Sequence, residues 1–222
     1  MSNNKLYSNL FYHRYARNVH SQNGEDGILE ELLKRLDIKS GWVCEFGAWD
    51  GIYLSNTFNL VKKGFNAVFI EGDSEKYKDL LNTVAKYPNI TPVDEYVSHE
   101  DKDKYLDTIL SKTSIPIDFD VLSIDIDSFD YQVWKSLEVY KPKLVIIEIN
   151  SSINTNDFDH IHTPDKYQGT GFGPTYRLGI EKGYTYLLHT GNLIFVRNDL
   201  FDKLNFKYDN PLENFNTRWG AV

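Results

Sequence analysis

Two stretches constrain the fold more than anything else in this chain. "FDVLSIDID" (119–127) and "KLVIIEIN" (143–150) are nearly continuous apolar runs that each carry carboxylates near the carboxyl end, with a helical segment, "YQVWKSLE", between them. Runs of this kind belong to parallel strands covered on both faces. Parallel neighbours need a long crossover, which the intervening helix supplies.

The rest of the chain keeps the same alternation. Ile28, Leu29, Leu32, Leu33 and Leu36 recur at helical spacing after Asn23, which reads as an N-cap before the acidic turn of Glu25 and Asp26. "WVCEF" is then a short strand. A helix is expected from about Ser55 to Lys63, stopped by Gly64. "NAVFIEGD" is a second strand, and Ser74 is placed to cap "EKYKDLLNTVAKY". "NITPVDEYVS" is a weaker third strand, and "KDKYLDTILSK" a helix. After the two apolar strands comes an irregular stretch from Ser151 to Pro174, then a helix from Tyr176 to Lys182 stopped by Gly183. "YTYLLH" and "NLIFVRND" flank Thr190-Gly191 and read as an antiparallel hairpin. The expected fold is α/β: a Rossmann-like, doubly wound, mostly parallel seven-stranded sheet with a C-terminal antiparallel hairpin. No linker or internal repeat divides the chain. It is read as one domain, 1–222, with an N-terminal extension and helix over 1–40 and the core over 41–222.

Bulk properties narrow the partners. The 222 residues are 41% hydrophobic and carry a formal charge of -8, with no basic run beyond pairs such as Lys62-Lys63. That argues against nucleic acid, since phosphate backbones demand clustered Lys and Arg. Cys44 is the only cysteine, which removes disulfide frameworks and thiolate zinc sites. The polar start "MSNNKLYSNL" lacks the apolar core of a signal peptide, and no apolar stretch approaches a membrane span. The cytoplasm is the expected compartment. The sequence leaves a homo-oligomer open.

Chemistry enters at "CEFGAWDG" (44–51). In an open α/β sheet, ligands lie beyond the carboxyl ends of the strands at the switch point. Gly47 and Gly51 there allow a tight turn and close backbone approach. Glu45 can accept a hydrogen bond from a cofactor amino group, and Glu71, ending the second strand, can accept from ribose hydroxyls. Dinucleotide sites want G-x-G-x-x-G. Here the pattern is E-x-G-x-x-x-G, and Asp50 would repel a pyrophosphate while suiting a ligand with an ammonium and a sulfonium. S-adenosylmethionine has both.

These motifs resemble the class I S-adenosylmethionine-dependent methyltransferases. More narrowly, "SQNGEDGIL" (21–29), "CEFGAWDGIYLSNT" (44–57), "VLSIDIDSFDYQVWKSL" (121–137), "KPKLVIIEIN" (141–150) and "GYTYLLHTGNLIFVRNDLF" (183–201), in that order, resemble the FkbM-type branch and its relatives. The resemblance covers most of the chain after residue 20. It implies methyl transfer to a hydroxyl of a sugar or nucleotide sugar, as in glycan biosynthesis. The expected cofactor-binding set is Gln22, Glu45, Gly47, Ala48, Gly51, Asn56, Glu71, Gly72, Ser98 and Asp125.

Asp125 and Asp127 share a face by the period of two, Asp130 follows, and Glu148 and Asn150 repeat the device on the adjacent strand. Three readings stay open. Asp127 or its neighbour Asp130 is a general base. Or Asp125, Asp127, Glu148 and Asn150 hold a divalent cation, Mg²⁺ or Mn²⁺. Or the acids are structural, Asp130 as a helix cap and Asp125 as a holder of the cofactor amino group. His160 and His162, with Tyr167, lie in the long loop, where a lid could carry a base. "GTGFGP" (169–174) reads as a turn before the last helix, since no clear strand precedes it. Gln22 and Glu25 are either part of a cap or beside the cofactor. The rival functions are N-methylation of an amine or amide on the same fold, a nicotinamide oxidoreductase, and a non-catalytic binding module.

Overall fold

The period-two alternation of the strands decides the layering. In the computed structural model, which describes residues 12–153, 158–165 and 169–205, Val43, Ala67, Phe69, Val121, Leu144 and Ile146 face one apolar layer. Cys44, Phe46, Val68, Ile70, Leu122, Ile124, Val145 and Ile147 face the other. Each strand therefore needs a helical cover on both sides, which is what its near-unbroken hydrophobicity implied.

The elements run α1 (Glu25–Arg35), β1 (Trp42–Phe46), α2 (Phe58–Lys62), β2 (Asn66–Glu71), α3 (Ser74–Val84), β3 (Ile90–Asp94), α4 (Leu106–Leu110), β4 (Val121–Ile124), α5 (Asp130–Ser136), β5 (Leu144–Glu148), α6 (Phe172–Glu181), β6 (Tyr184–His189) and β7 (Asn192–Arg197). The seven strands form one sheet in the order β3-β2-β1-β4-β5-β7-β6. β1 to β5 are mutually parallel, while β7 pairs antiparallel with both β5 and β6. The expected doubly wound sheet and terminal hairpin are both present. Strand order reverses between β1 and β4, which places the switch point at their carboxyl ends.

Helix ends differ from expectation where side chains compete for the backbone. α1 is capped by Gly24 in a left-handed conformation, φ 92°, rather than by Asn23. A Cβ at Gly24 would fall 2.5 Å from that of Ala16, so the glycine also admits close packing. α2 begins at Phe58 instead of Ser55, because the Ser55 hydroxyl accepts the N–H groups of Thr57 and Phe58. Asp73, not Ser74, caps α3 by accepting from the N–H groups of Glu75 and Lys76. The 102–112 helix splits into a 3₁₀ turn, Lys102–Lys104, and α4. α6 starts four residues early at Phe172, with Pro174 in its first turn, where its missing N–H costs nothing.

Candidate active site

The carboxyl ends of β1, β2, β4 and β5 deliver Glu45, Glu71, Asp125 and Glu148 to one rim. Two cavities open there. The first, about 530 Å³, spans the ends of β1, β2 and β4 and includes Gly47, Glu71, Gly72, Ser98, Asp125 and Ile126 in its walls. The second, about 400 Å³, lies toward α1 and β7 and includes Gln22, Glu45, Asn56, Asp127, Glu148 and Asn192. Gly47, Lys76, Asp125 and Asp127 border both.

Gly47 is the divider. Its φ is 70°, and a Cβ there would sit 2.5 Å from the Asp125 carbonyl oxygen. Only glycine lets β1 turn off the sheet so close to the end of β4. Ala48 lines the second cavity and donates its N–H to the Ile70 carbonyl at 3.2 Å. Gly51 does different work from the ligand contact expected of it. It lines neither cavity, and its Cα faces Phe69 and Leu80 in the core. Asp50 likewise turns away from any ligand and accepts the N–H groups of Ile52 and Tyr53, bracing the loop.

Glu45 shares a sheet face with Val43, so it points beneath α2. Its Oε2 accepts from the Ser55 hydroxyl, the Thr57 N–H and the Thr57 hydroxyl, at 2.9, 3.0 and 2.6 Å. Burial pushes its carboxyl above the usual range, against the pull of those donors. Asn56 donates to Ser123 Oγ and helps close the second cavity. Glu71 accepts the Trp49 N–H through Oε2 and the Asp73 N–H through Oε1, each at 2.8 Å. Each oxygen keeps a second lone pair for a ligand hydroxyl. Beside it Gly72 gives room to the Tyr96 ring, which a Cβ would meet at 2.4 Å. Ser98 accepts the N–H groups of Glu100 and Asp101 at 3.1 Å, shaping the far wall.

The acids separate into two groups. Oxygens of Asp125, Asp127 and Glu148 lie within 4.8 Å of one another. Asp125 and Glu148 are hydrogen-bonded to each other. Burial first, and then the neighbouring carboxylates, raise both, so the pair retains a proton at neutral pH. Asp127 is exposed, with φ 59°. Asp130 does not join them as a base. It is buried, and its two oxygens accept the N–H groups of Ile126 and Ser128, fastening the β4–α5 turn. Burial lifts its pKa to about 6 against those donors. Asn150 is turned aside too, its Oδ1 accepting from the Ser152 N–H and hydroxyl.

The histidines expected on a lid are buried instead. His160 and His162 line neither cavity, and His162 is only 1% exposed. His162 Nδ1 accepts the Gly169 N–H, and burial with the nearby His160 and His99 lowers its pKa. The base role has no access to the rim from there. Tyr167 lies outside the described residues.

"SQNGED" is a wall of the second cavity. Asp26 Oδ2 accepts the N–H groups of Val19, His20 and Ser21 and the Ser21 hydroxyl. Glu25 accepts from the Asn23 N–H, the Thr190 hydroxyl and the Asn192 amide. That tie presents Gln22 and Asn23 to the cavity. Sequence reasoning missed Asn192, Lys76, and the aromatics Trp49 and Tyr53, which are 42% and 60% exposed on the cavity wall. The "HTGN" turn of the hairpin was the available signal for Asn192. For Lys76 it was its place in the first turn after the β2 acid.

The two lobes fit S-adenosylmethionine: Glu71 in the first offers a lone pair on each oxygen to a ribose hydroxyl, and Asp125 and Asp127, which border both, stand with Glu45 and Glu148 of the second where a cationic group would be favoured.

No protein-family model matches the chain, and no curated protein matches it. Solved structures do. A candidate caffeoyl-CoA O-methyltransferase from Staphylococcus aureus superposes with a TM-score of 0.51 at 14% identity, covering 82% of this chain and 85% of that one. A carbon methyltransferase, CurJ, gives 0.52 at 9% identity, over 84% and 56%. An S-adenosylmethionine-dependent methyltransferase from Clostridium acetobutylicum gives 0.50 at 11% identity, over 85% and 98%. The likeness at these identities is one of fold. Among the described residues no helix is long and apolar enough to cross a membrane.

Proposed function

We propose that the chain is an S-adenosylmethionine-dependent methyltransferase that methylates a hydroxyl of a small acceptor, a sugar or nucleotide sugar. One observation carries the reading: the two-lobed cavity at the β1/β4 switch point, divided at Gly47, with Glu71 in the first lobe, Glu45 and Glu148 in the second, and Asp125 and Asp127 bordering both. The FkbM-type resemblance and the methyltransferase neighbours support it, and the resemblance is what points to a sugar.

When bound, the cofactor supplies an activated methyl on a sulfonium leaving group. The chain's own share is alignment and proton removal. Glu71 is placed to accept the ribose hydroxyls, with Gly72 and Ser98 shaping that lobe. Gly47 brings backbone to the junction, and Gln22, Glu45, Ala48, Asn56 and Asp125 enclose the amino-acid end. Trp49 and Tyr53, set edge-to-face at 72°, offer an acceptor ring exposed aromatic surface. Removal of the acceptor hydroxyl proton falls to the carboxylate cluster at the shared border, of which Asp127 is the exposed member. Alignment of this kind recovers ~7–11 kcal/mol of barrier.

Thermal unfolding with S-adenosylhomocysteine, with NAD⁺ and with neither tests the reading. At 100-fold its dissociation constant a ligand adds ~2.7 kcal/mol, or about 5–10 °C for a domain of this size. A shift with S-adenosylhomocysteine alone is expected. A shift with NAD⁺ alone, or none with either, overturns it.

A further inference from the structure

We propose that Asp125, Asp127 and Glu148, together with the side-chain oxygen of Asn192, form a binding site for one hard divalent cation of the Mg²⁺ or Mn²⁺ kind. Three carboxylates by themselves would establish little. The second observation is Asn192. It is 6% exposed, lines the same cavity, and its Oδ1 is buried with no hydrogen-bond partner. A buried amide oxygen without a partner is costly and rare. Its orientation is not ambiguous: Nδ2 donates to Glu25 Oε1 at 3.2 Å, so Oδ1 is the atom directed elsewhere. Glu25 is itself fixed by the Asn23 N–H and the Thr190 hydroxyl. Asn192 is also the residue directly opposite Glu148 in the β5–β7 pairing.

The donors reach the site from four backbone points: the end of β4, the β4–α5 turn, the end of β5 and the start of β7. All four donors are oxygens, and among the described residues no cysteine or histidine lines this cavity. That donor set selects hard cations over zinc or copper. Lys76 is the one Lys or Arg among the residues lining it, and its ammonium sits 5.1 Å from the Trp49 ring centre. The open cavity leaves space for the waters such ions keep. Glu25 then acts as an outer partner, orienting a ligand through its amide N–H.

The inference does not rest on the cofactor reading, and one pair of titrations separates them. Calorimetry of the full chain, chelator-treated, with MnCl₂ or MgCl₂ alone is expected to show one saturable site per chain. Asn192→Ser and Asp127→Asn should each weaken it about 10–100-fold, while Asp37→Asn, a surface control, should leave it unchanged. Asp127 is exposed, so its variant tests the site even where Asn192→Ser perturbs folding. The absence of saturable binding at millimolar metal, or binding equally tight in all three variants, overturns the proposal. A thermal shift with S-adenosylhomocysteine in chelator, alongside absent metal binding, would sink this site and leave the methyltransferase standing. Metal binding without that shift would do the reverse.

Discussion

Glu45 shows how one residue can be legible in position and illegible in partner. It is the penultimate residue of the first strand, one short of the end at which the spacing of "CEFG" places it. Yet period-two alternation puts it on the face shared with Val43, where the Ser55 and Thr57 donors meet it. Its effect on stability follows. Glu45→Ala strands these donors and should cost on the order of 2–4 kcal/mol. Glu45→Gln keeps an acceptor oxygen and should cost less than half as much. Thr57→Val combined with Glu45→Ala should be less than additive by about 1 kcal/mol or more, because the two share a hydrogen bond. Urea unfolding of Glu45→Ala, Glu45→Gln, Thr57→Val and the double variant checks all of this. Equal losses for Ala and Gln would mean that Glu45 matters through its charge and not as an acceptor.

Among the elements, the strands were the most legible, since an apolar run bounded by glycines and acids has few other readings. Helix starts were not. Ser55, Asp73 and Asp130 each take backbone N–H groups in ways that shift or replace the expected cap, and competition between side chains and the helix backbone is decided by geometry rather than by residue type. The segment before α1 is the most consequential case. "SQNGED" reads equally as a cap and as a ligand wall; Gly24 is the cap residue, Asp26 gathers the N–H groups of Val19, His20 and Ser21, and Gln22 and Asn23 face the cavity. Asp26→Ala should release this loop, leave three buried or half-buried donors without their acceptor, and lower stability by about 2–4 kcal/mol. It should also weaken S-adenosylhomocysteine binding, since the wall that Gln22 and Asn23 form would lose its anchor. Amide exchange over residues 17–24 checks the local part. Unchanged protection there would show that Glu25 alone holds the wall. For Asn192 and Lys76 the local signals, the hairpin turn and the first turn after the β2 acid, mark only a neighbourhood; that each lines the cavity depends on antiparallel pairing and on which face of α3 meets the rim.

For the whole molecule, the acid-rich rim and the buried histidine oppose each other in the dependence of stability on pH. Asp125, with Glu148, has its pKa raised toward about 8 by burial and by neighbouring carboxylates. The folded chain therefore keeps a proton that the unfolded chain has released. That contribution is fully present below the ordinary carboxylate range and is lost as pH rises through the folded value. His189, bonded to Ser151 at 2.7 Å, has its pKa lowered by burial from 6.5 to about 4. It stays neutral when folded, so its contribution is complete above pH 6.5 and is lost as pH falls toward 4, a change on the order of 3 kcal/mol. Between pH 4 and 6.5 the two trends cancel in part; from 6.5 to 8 the carboxyl pair acts without that opposition. In chelator, where no cation screens the rim, the melting temperature should fall across that upper window. Glu148→Gln removes one ionisable member and can still donate a hydrogen bond to Asp125. It should flatten the fall and stabilise the chain at pH 8 by about 1–2 kcal/mol, the gain expected when a functional like-charge contact is neutralised. His189→Gln should flatten only the acid limb. A Glu148→Gln profile parallel to that of the unaltered chain from pH 6.5 to 8 would place the titrating group elsewhere.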